Sequence, residues 1–313
     1  MMTHNNPTGK LEIGRPLEGH VRCAIRVPYA LRRVPSSCIH SMEPVSVPLT
    51  AVSEPPRAHR VAPGLTHARS APRIGVYQSY HAAIDEGWTR WVFEQYGIPY
   101  STLHDADVRA GALGRRFDVV LLPSQSAGEI LRGRKPGTVP PEFAGGLGAS
   151  GLAAIREFVE AGGTLITLNR ASELPLRHFD LPIRDALDSL ARVQYYAPGS
   201  IVAIDVDTAL AIGHGMPRQS IAWVEDGPAF ELKPGADPGR VTCVARFRDR
   251  DLLLSGWLEG AEHLQGKGAL AVVRMGRGRI VLFGFRPQYR AQSIATYPLL
   301  FNALRQRTEA GAE

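Results

Sequence analysis

Four polar segments of this chain carry side chains able to hold charge or donate protons: Ser79-Tyr80-His81 with Asp85 and Glu86, Ser124-Gln125-Ser126, Asn169-Arg170-Ala171-Ser172, and Arg286-Pro287-Gln288-Tyr289-Arg290. Gathered around one crevice, they would present two carboxylates and three guanidiniums with several amides. Guanidinium forks hold carboxylates bidentately, so such a set suits recognition of a small polar ligand. The candidate pocket is therefore Asp85, Glu86, Gln125, Asn169, Arg170, Arg286, Gln288 and Arg290. A plainer role exists for some of them. Asp85 and Glu86 open a helix, where carboxylates complement the dipole. For Arg286 and Arg290 an internal bridge to that acidic pair is expected ahead of ligand binding.

The chemistry that the residues exclude is as informative. A nucleophilic mechanism needs a Ser or Cys beside a base, and the chain has neither Gly-x-Ser-x-Gly nor a Cys/His pair in a usable order. Cys23, Cys38 and Cys243 match no zinc knuckle and no Cys-x-x-Cys. Cys243, in Val241-Thr242-Cys243-Val244-Ala245, reads as a strand cysteine of the core, and Ser172 as a helix N-cap. His40-Ser41-Met42-Glu43 has a zinc-ligand spacing, and His178 lies at a tempting distance. The tetrad sits, however, in a Pro-rich stretch with no pattern of helix or strand. The remaining histidines (His81, His104, His214 and His263 among them) lack ligand spacing. Gly145-Gly146-Leu147-Gly148 follows no strand and lacks the Lys-Ser/Thr of a phosphate loop. No metal, no cofactor and no catalytic residue are expected.

Something must position the four segments, and the apolar pattern says what. Ile74–Tyr77 and Asp118–Pro123 are buried-strand runs, with a shorter strand near Tyr100–Leu103. A helix over Asp85–Gly97 places Trp88, Trp91, Val92 and Tyr96 at three- and four-residue spacing. A Gly- and Pro-rich loop over 124–150 precedes a helix over Gly151–Ala161 and a strand over Thr164–Leu168. A further helix is expected over Asp180–Val193. Strands then dominate: 201–206, 220–224, 241–247, 252–255, 269–274 and 279–285, the last two joined by a hairpin at Met275-Gly276-Arg277-Gly278. A helix over 293–307 closes the chain. Alternation of strand and helix predicts an α/β fold, a flavodoxin/glutamine-amidotransferase-like parallel sheet with helices on both faces and a strand-rich antiparallel C-terminal part. In open sheets of this kind ligands collect at the carboxyl ends of the strands, where all four polar segments fall.

Residues 1–71 differ in character. Prolines recur through them, periodicity is absent apart from a strand-like Cys23–Val27, and they hold nine Lys/Arg against four Asp/Glu. Residues 72–313 hold 27 against 26, so the overall charge of +6 belongs to the tail. We expect a disordered basic tail at 1–71 and one α/β domain at 72–313. The domain's near-neutral charge argues against nucleic acid as a partner. No apolar run reaches the roughly 20 residues that span a bilayer, and no secretory signal is recognisable. The expected location is cytoplasmic by default, without a membrane partner.

Several stretches together resemble a known family: Asp85-Glu86-Gly87-Trp88-Thr89-Arg90-Trp91-Val92, Asp105-Ala106-Asp107-Val108-Arg109, Phe158–Leu165 with its Ala161-Gly162-Gly163-Thr164 turn, Leu254-Ser255-Gly256-Trp257-Leu258, and Gly284–Arg290. They resemble the class I glutamine-amidotransferase-like domain at the C-terminal end of large bacterial zinc carboxypeptidases of the carboxypeptidase A type. The resemblance covers 72–313 and excludes the peptidase domain. In the amidotransferase fold a cysteine nucleophile follows the strand that here ends at Leu168, yet this corner reads Thr167-Leu168-Asn169-Arg170-Ala171. The resemblance thus implies a pseudoenzyme: a non-catalytic accessory domain that binds a small polar ligand or a zinc carboxypeptidase partner. The alternatives it leaves open are a fragment of a zinc metallocarboxypeptidase, from a truncated or split gene, or a hydrolase using non-thiol residues.

Overall fold

The structure is a computed structural model, and it describes residues 71–306. The expected basic tail, the strand-like Cys23–Val27, Cys38, and the His40–Glu43 pair all lie outside the described residues, as does the end of the chain from Arg307 onward.

The strands are β1 (Ile74–Tyr77), β2 (Ser101–Leu103), β3 (Val119–Leu122), β4 (Thr164–Leu168), β5 (Ile183–Asp185), β6 (Ser200–Val206), β7 (Gln219–Val224), β8 (Phe230–Leu232), β9 (Val241–Phe247), β10 (Leu253–Ser255), β11 (Gly268–Met275) and β12 (Gly278–Phe283). The helices are α1 (Ile84–Gln95), α2 (Asp105–Arg109), α3 (Leu113–Arg116), α4 (Ala127–Arg132), α5 (Gly148–Glu160), α6 (Glu173–His178) and α7 (Tyr297–Arg305). The result is a mixed α/β fold on one large sheet. Parallel strands run in the order β2-β1-β3-β4-β12, and antiparallel β11, β9 and β6 extend the same sheet beyond β12. The strand-rich region is thus continuous with the parallel part. The last strand among the described residues, β12, returns to the middle and pairs with β4 from Arg279↔Thr164 to Phe283↔Leu168.

The apolar runs of the central strands follow from burial on both faces. Side chains alternate in strict period two. Val119, Leu121, Ile166, Leu168, Val281 and Phe283 join one core with Val92 and Phe93 of α1 and Leu300 and Leu304 of α7. Val120, Leu122, Leu165, Ile280 and Leu282 join the other with Ile155, Phe158 and Val159 of α5. The hairpin at Gly276-Arg277 is as expected. Gly276 has φ 57°, and a Cβ there would lie 2.7 Å from the Glu160 backbone.

The helix expected over 180–193 does not form. Its apolar residues instead anchor β5, which pairs antiparallel with β8 (Arg184↔Glu231). Pro182 cannot serve as a mid-helix donor, and β8, almost fifty residues away, supplies pairing that local propensity cannot foresee. The segment 124–150, expected as a loop, contains α4. That helix starts at a capping box in which Ser126 Oγ accepts from Glu129 N and the Glu129 carboxylate accepts from Ser126 N.

Candidate functional site

The corner after β4 is tight. Asn169 takes φ 49° and is fully buried. Asparagine tolerates this left-handed conformation better than most residues. Its Nδ2 donates to Ser124 Oγ (3.2 Å) and to the Glu225 carbonyl (2.9 Å). Its Oδ1 has no hydrogen-bond partner among the described residues and abuts Gly227. Ser172 stands at the N-cap position of α6, as expected, but its side chain makes no capping hydrogen bond: its hydroxyl is within hydrogen-bond distance of Thr167 Oγ1 (2.9 Å) and donates to the Phe283 carbonyl (3.1 Å), tying the corner to β4 and β12. The amide at the corner is therefore occupied by structure, and an amide has no lone pair suited to nucleophilic attack at neutral pH. Cys243, the cysteine among the described residues, is half-buried in β9, where burial pushes its thiol above the ordinary value.

Above the corner sits an ion-pair cluster. Arg286, just past β12, reaches Asp85 Oδ2 with Nε (3.3 Å) and Glu225 Oε2 with Nη1 (3.3 Å). The Nε contact is an ion pair without hydrogen-bond alignment. The Arg286 backbone N–H donates to the Trp223 carbonyl (3.1 Å), and Trp223 stacks on Tyr289 at 4.1 Å between ring centroids. The guanidiniums of Arg286 and Arg290 both lie over the Tyr289 ring (5.7 and 5.3 Å). Burial raises the Asp85 pKa above the ordinary value, while Arg286, Ser124 and Arg290 pull it back. Gln288, fully buried, donates to Thr89 Oγ1 (2.8 Å), and that hydroxyl donates to the Asp85 carbonyl (2.6 Å). The last loop is thereby fastened to the first turn of α1.

Glu86 faces elsewhere, as neighbouring residues on a helix must. It accepts from Arg90 Nε (2.5 Å) and Gln78 Nε2 (3.4 Å) and lines a pocket of about 160 Å³ with Gln78, Ser79, Pro123 and Gln125. Gln125 Nε2 donates to the His81 carbonyl (3.0 Å). This pocket opens between the carboxyl ends of β1 and β3. The strand order reverses between these strands, the place where open α/β sheets leave a crevice.

The expected set of site residues thus divides. Asp85, Asn169, Arg286 and Gln288 form one interior network with Arg290 at its rim, and Glu86 and Gln125 line the pocket. Arg170 belongs to neither group: it pairs with Glu173 three residues on (3.5 Å). The bridge expected between Arg286 and the acidic pair is present, to Asp85 rather than Glu86. Among the described residues no group of three His, Cys, Asp or Glu side chains is placed to hold a metal ion, and no helix is long and apolar enough to cross a membrane.

No protein-family model matches this chain, and no curated protein matches it. Solved structures do. PurLQS from Thermotoga maritima aligns at 13% identity over 75% of this chain and 98% of that one, with a TM-score of 0.49. A ThuA-like protein from Bacteroides uniformis aligns at 12% identity over 77% of this chain and 93% of that one (TM-score 0.45). A protein assigned as a GMP synthase component from Thermoplasma acidophilum aligns at 10% over 74% and 92% (TM-score 0.45). None of the three carries a carboxypeptidase name, so these matches add nothing to that part of the sequence resemblance.

Reasoning from sequence missed Glu225 and Gln78. Glu225 enters from the end of β7, and the turn Glu225-Asp226-Gly227-Pro228 after an apolar strand is the signal that marks it. Gln78 directly follows β1, within the rule that already selected Ser79. Tyr77, also on the pocket, donates its hydroxyl to Asp105 Oδ1 (2.6 Å), and Asp105 Oδ2 has no hydrogen-bond partner among the described residues. Burial raises the Asp105 pKa, partly opposed by the Tyr77 bond and Arg109. A raised carboxyl pKa means that the folded state holds the proton more tightly. The penalty for ionising is absent below the ordinary aspartate value and grows as pH rises through the folded one. Asp105→Asn keeps an acceptor for Tyr77 and removes the charge. It is expected to gain about 1 kcal/mol at pH 8 and almost nothing at about pH 3, below the ordinary aspartate value. Urea unfolding at the two values checks this, and an equal gain at both would assign the effect to something other than ionisation.

Proposed function

We propose that the described domain is a non-catalytic, flavodoxin- and glutamine-amidotransferase-like module that binds a small polar ligand at the β1/β3 reversal. The observation that carries this reading is the corner after β4. There the strained position holds a buried asparagine whose amide protons are already engaged. Asp85 and Glu86 make a poor catalytic pair, because each is turned to its own arginine. The pocket offers amide groups from Gln78 and Gln125, the Ser79 hydroxyl and the Glu86 carboxylate, which suit a compact amide- or ammonium-bearing molecule. A zinc carboxypeptidase domain is the macromolecular partner we propose, and the sequence resemblance alone supports it.

A glutamine-mimicking electrophile tests the first point. No adduct is expected on residues 167–172 and no glutamine hydrolysis above background; a mapped adduct in that corner would end the proposal. Thermal-shift screening with small amides and amines tests the second. Stabilisation should be lost in Gln125→Ala, and a ligand that is indifferent to that change binds elsewhere.

A further inference from the structure

A second pocket, of about 380 Å³, lies in the antiparallel half of the sheet and has no part in the reading above. Its floor follows from small residues on neighbouring strands. Ala271 of β11 stands directly opposite Cys243 of β9. Gly268 leaves room between Phe230 and Cys243, where a Cβ would approach them to 3.2 and 3.5 Å. The β5–β8 pair supplies one wall through Ile183, Phe230 and Leu232, and Pro238 with Val241 supplies another.

The floor and walls are apolar, and the rim is cationic. The rim carries Lys267, Arg246 and Glu231; Glu231 pairs with Lys267 and also with Arg184, which lies outside the lining, so this one carboxylate is shared by two cations. Arg246, also on the lining, donates to the Gly266 carbonyl (3.2 Å) and has no carboxylate within 4.0 Å among the described residues. The volume falls in the range of small-molecule sites, about 300–1,000 Å³. A tail would displace water from apolar walls, and the guanidinium fork of Arg246 would take a carboxylate.

We propose that this pocket binds an amphipathic carboxylate, a medium-chain acyl or arylalkyl acid, with its tail over Gly268, Ala271 and Cys243 and its head on Arg246. The probe is octanoate, with octylammonium and octanol as controls, measured by calorimetry on the full chain. Octanoate binds and octylammonium does not. Arg246→Glu, at an exposed position, weakens octanoate about tenfold or more, and Arg246→Lys recovers most of the loss. Location is read independently by alkylation with peptide mapping: octanoate slows modification of Cys243 several-fold and leaves Cys23 and Cys38 unchanged. Equal binding of octanoate and octylammonium, affinity unmoved in Arg246→Glu, no octanoate binding, or an unprotected Cys243 each overturns the proposal. None of these outcomes bears on the β1/β3 pocket, whose variants are separate.

Discussion

Arg286→Ala is expected to cost about 3 kcal/mol of folding stability at pH 7 and markedly less at pH 4.5. The guanidinium is the shared partner of Asp85, only 4% exposed, and of Glu225. Its removal leaves a buried carboxylate whose remaining support is the Ser124 hydroxyl and the more distant Arg290. Breaking a buried pair from one side typically costs about 3–5 kcal/mol, because the other charge is left desolvated. The Nε contact is imperfectly aligned, so the lower end of that range applies. The pH dependence separates charge from packing. Asp85 already has a raised pKa from burial, and losing Arg286 raises it further. Above the folded value the penalty is fully felt; below the ordinary aspartate value, about 3.9, Asp85 is neutral in both states and the penalty vanishes. The deficit of the variant should therefore shrink as pH falls. Denaturant unfolding at both values measures it. A deficit independent of pH would move the cause to lost packing over Tyr289. The double variant Asp85→Asn with Arg286→Ala should lie closer to wild type than the single one.

That cluster also marks how far the sequence is legible. Asp85, in the first turn of the helix after β1, and Arg286, just past β12, are opposite in charge and fall at the same end of the sheet, so a bridge between them can be read from the sequence. Glu225 cannot be read in the same way. It arrives through β7, whose place beside β6 is fixed by antiparallel pairing from Ser200↔Val224 to Asp205↔Gln219, and no local pattern states that pairing. The same contrast holds for the fold. Val119–Leu122 is apolar throughout, and Thr164–Leu168 is buried throughout with only its two threonines polar, because both faces are covered, which makes these strands plain in the sequence. β5 and β8 are three residues each and owe their form to one another, so residues 180–193 mislead a reader of periodicity. α4 is a different failure: the Ser126…Glu129 box announces it, but its first turn lies among glycines and prolines that favour a loop reading. The left-handed corner at Asn169 is legible as an absence of sulfur. That the amide is locked by Ser124 and by the Glu225 carbonyl becomes visible only in three dimensions.

Gly227→Ala probes that lock most directly, and it is expected to destabilise the fold by about 3 kcal/mol or more. Gly227 has no unusual φ, so the demand for glycine is one of space. A Cβ would stand 2.2 Å from Asn169 Oδ1 and 2.2 Å from the Gly284 carbonyl oxygen. The amide can swing away only by giving up its bonds to Ser124 and to the Glu225 carbonyl, while the Gly284 carbonyl belongs to backbone running on from β12 and cannot yield cheaply. Two contacts of unequal stiffness make a double-mutant cycle informative. Asn169→Ala alone loses two buried hydrogen bonds and leaves the Glu225 carbonyl unsatisfied, at a cost of about 1–3 kcal/mol. Adding Gly227→Ala to it should cost less than adding Gly227→Ala to wild type, because one of the two clashes has gone. The remaining cost reports the Gly284 backbone. If the two changes are additive, the side chain of Asn169 takes no part in the clash and the corner is held by the main chain alone. If Gly227→Ala costs less than about 1 kcal/mol, the approach of the β7 turn to the corner is looser than these distances imply.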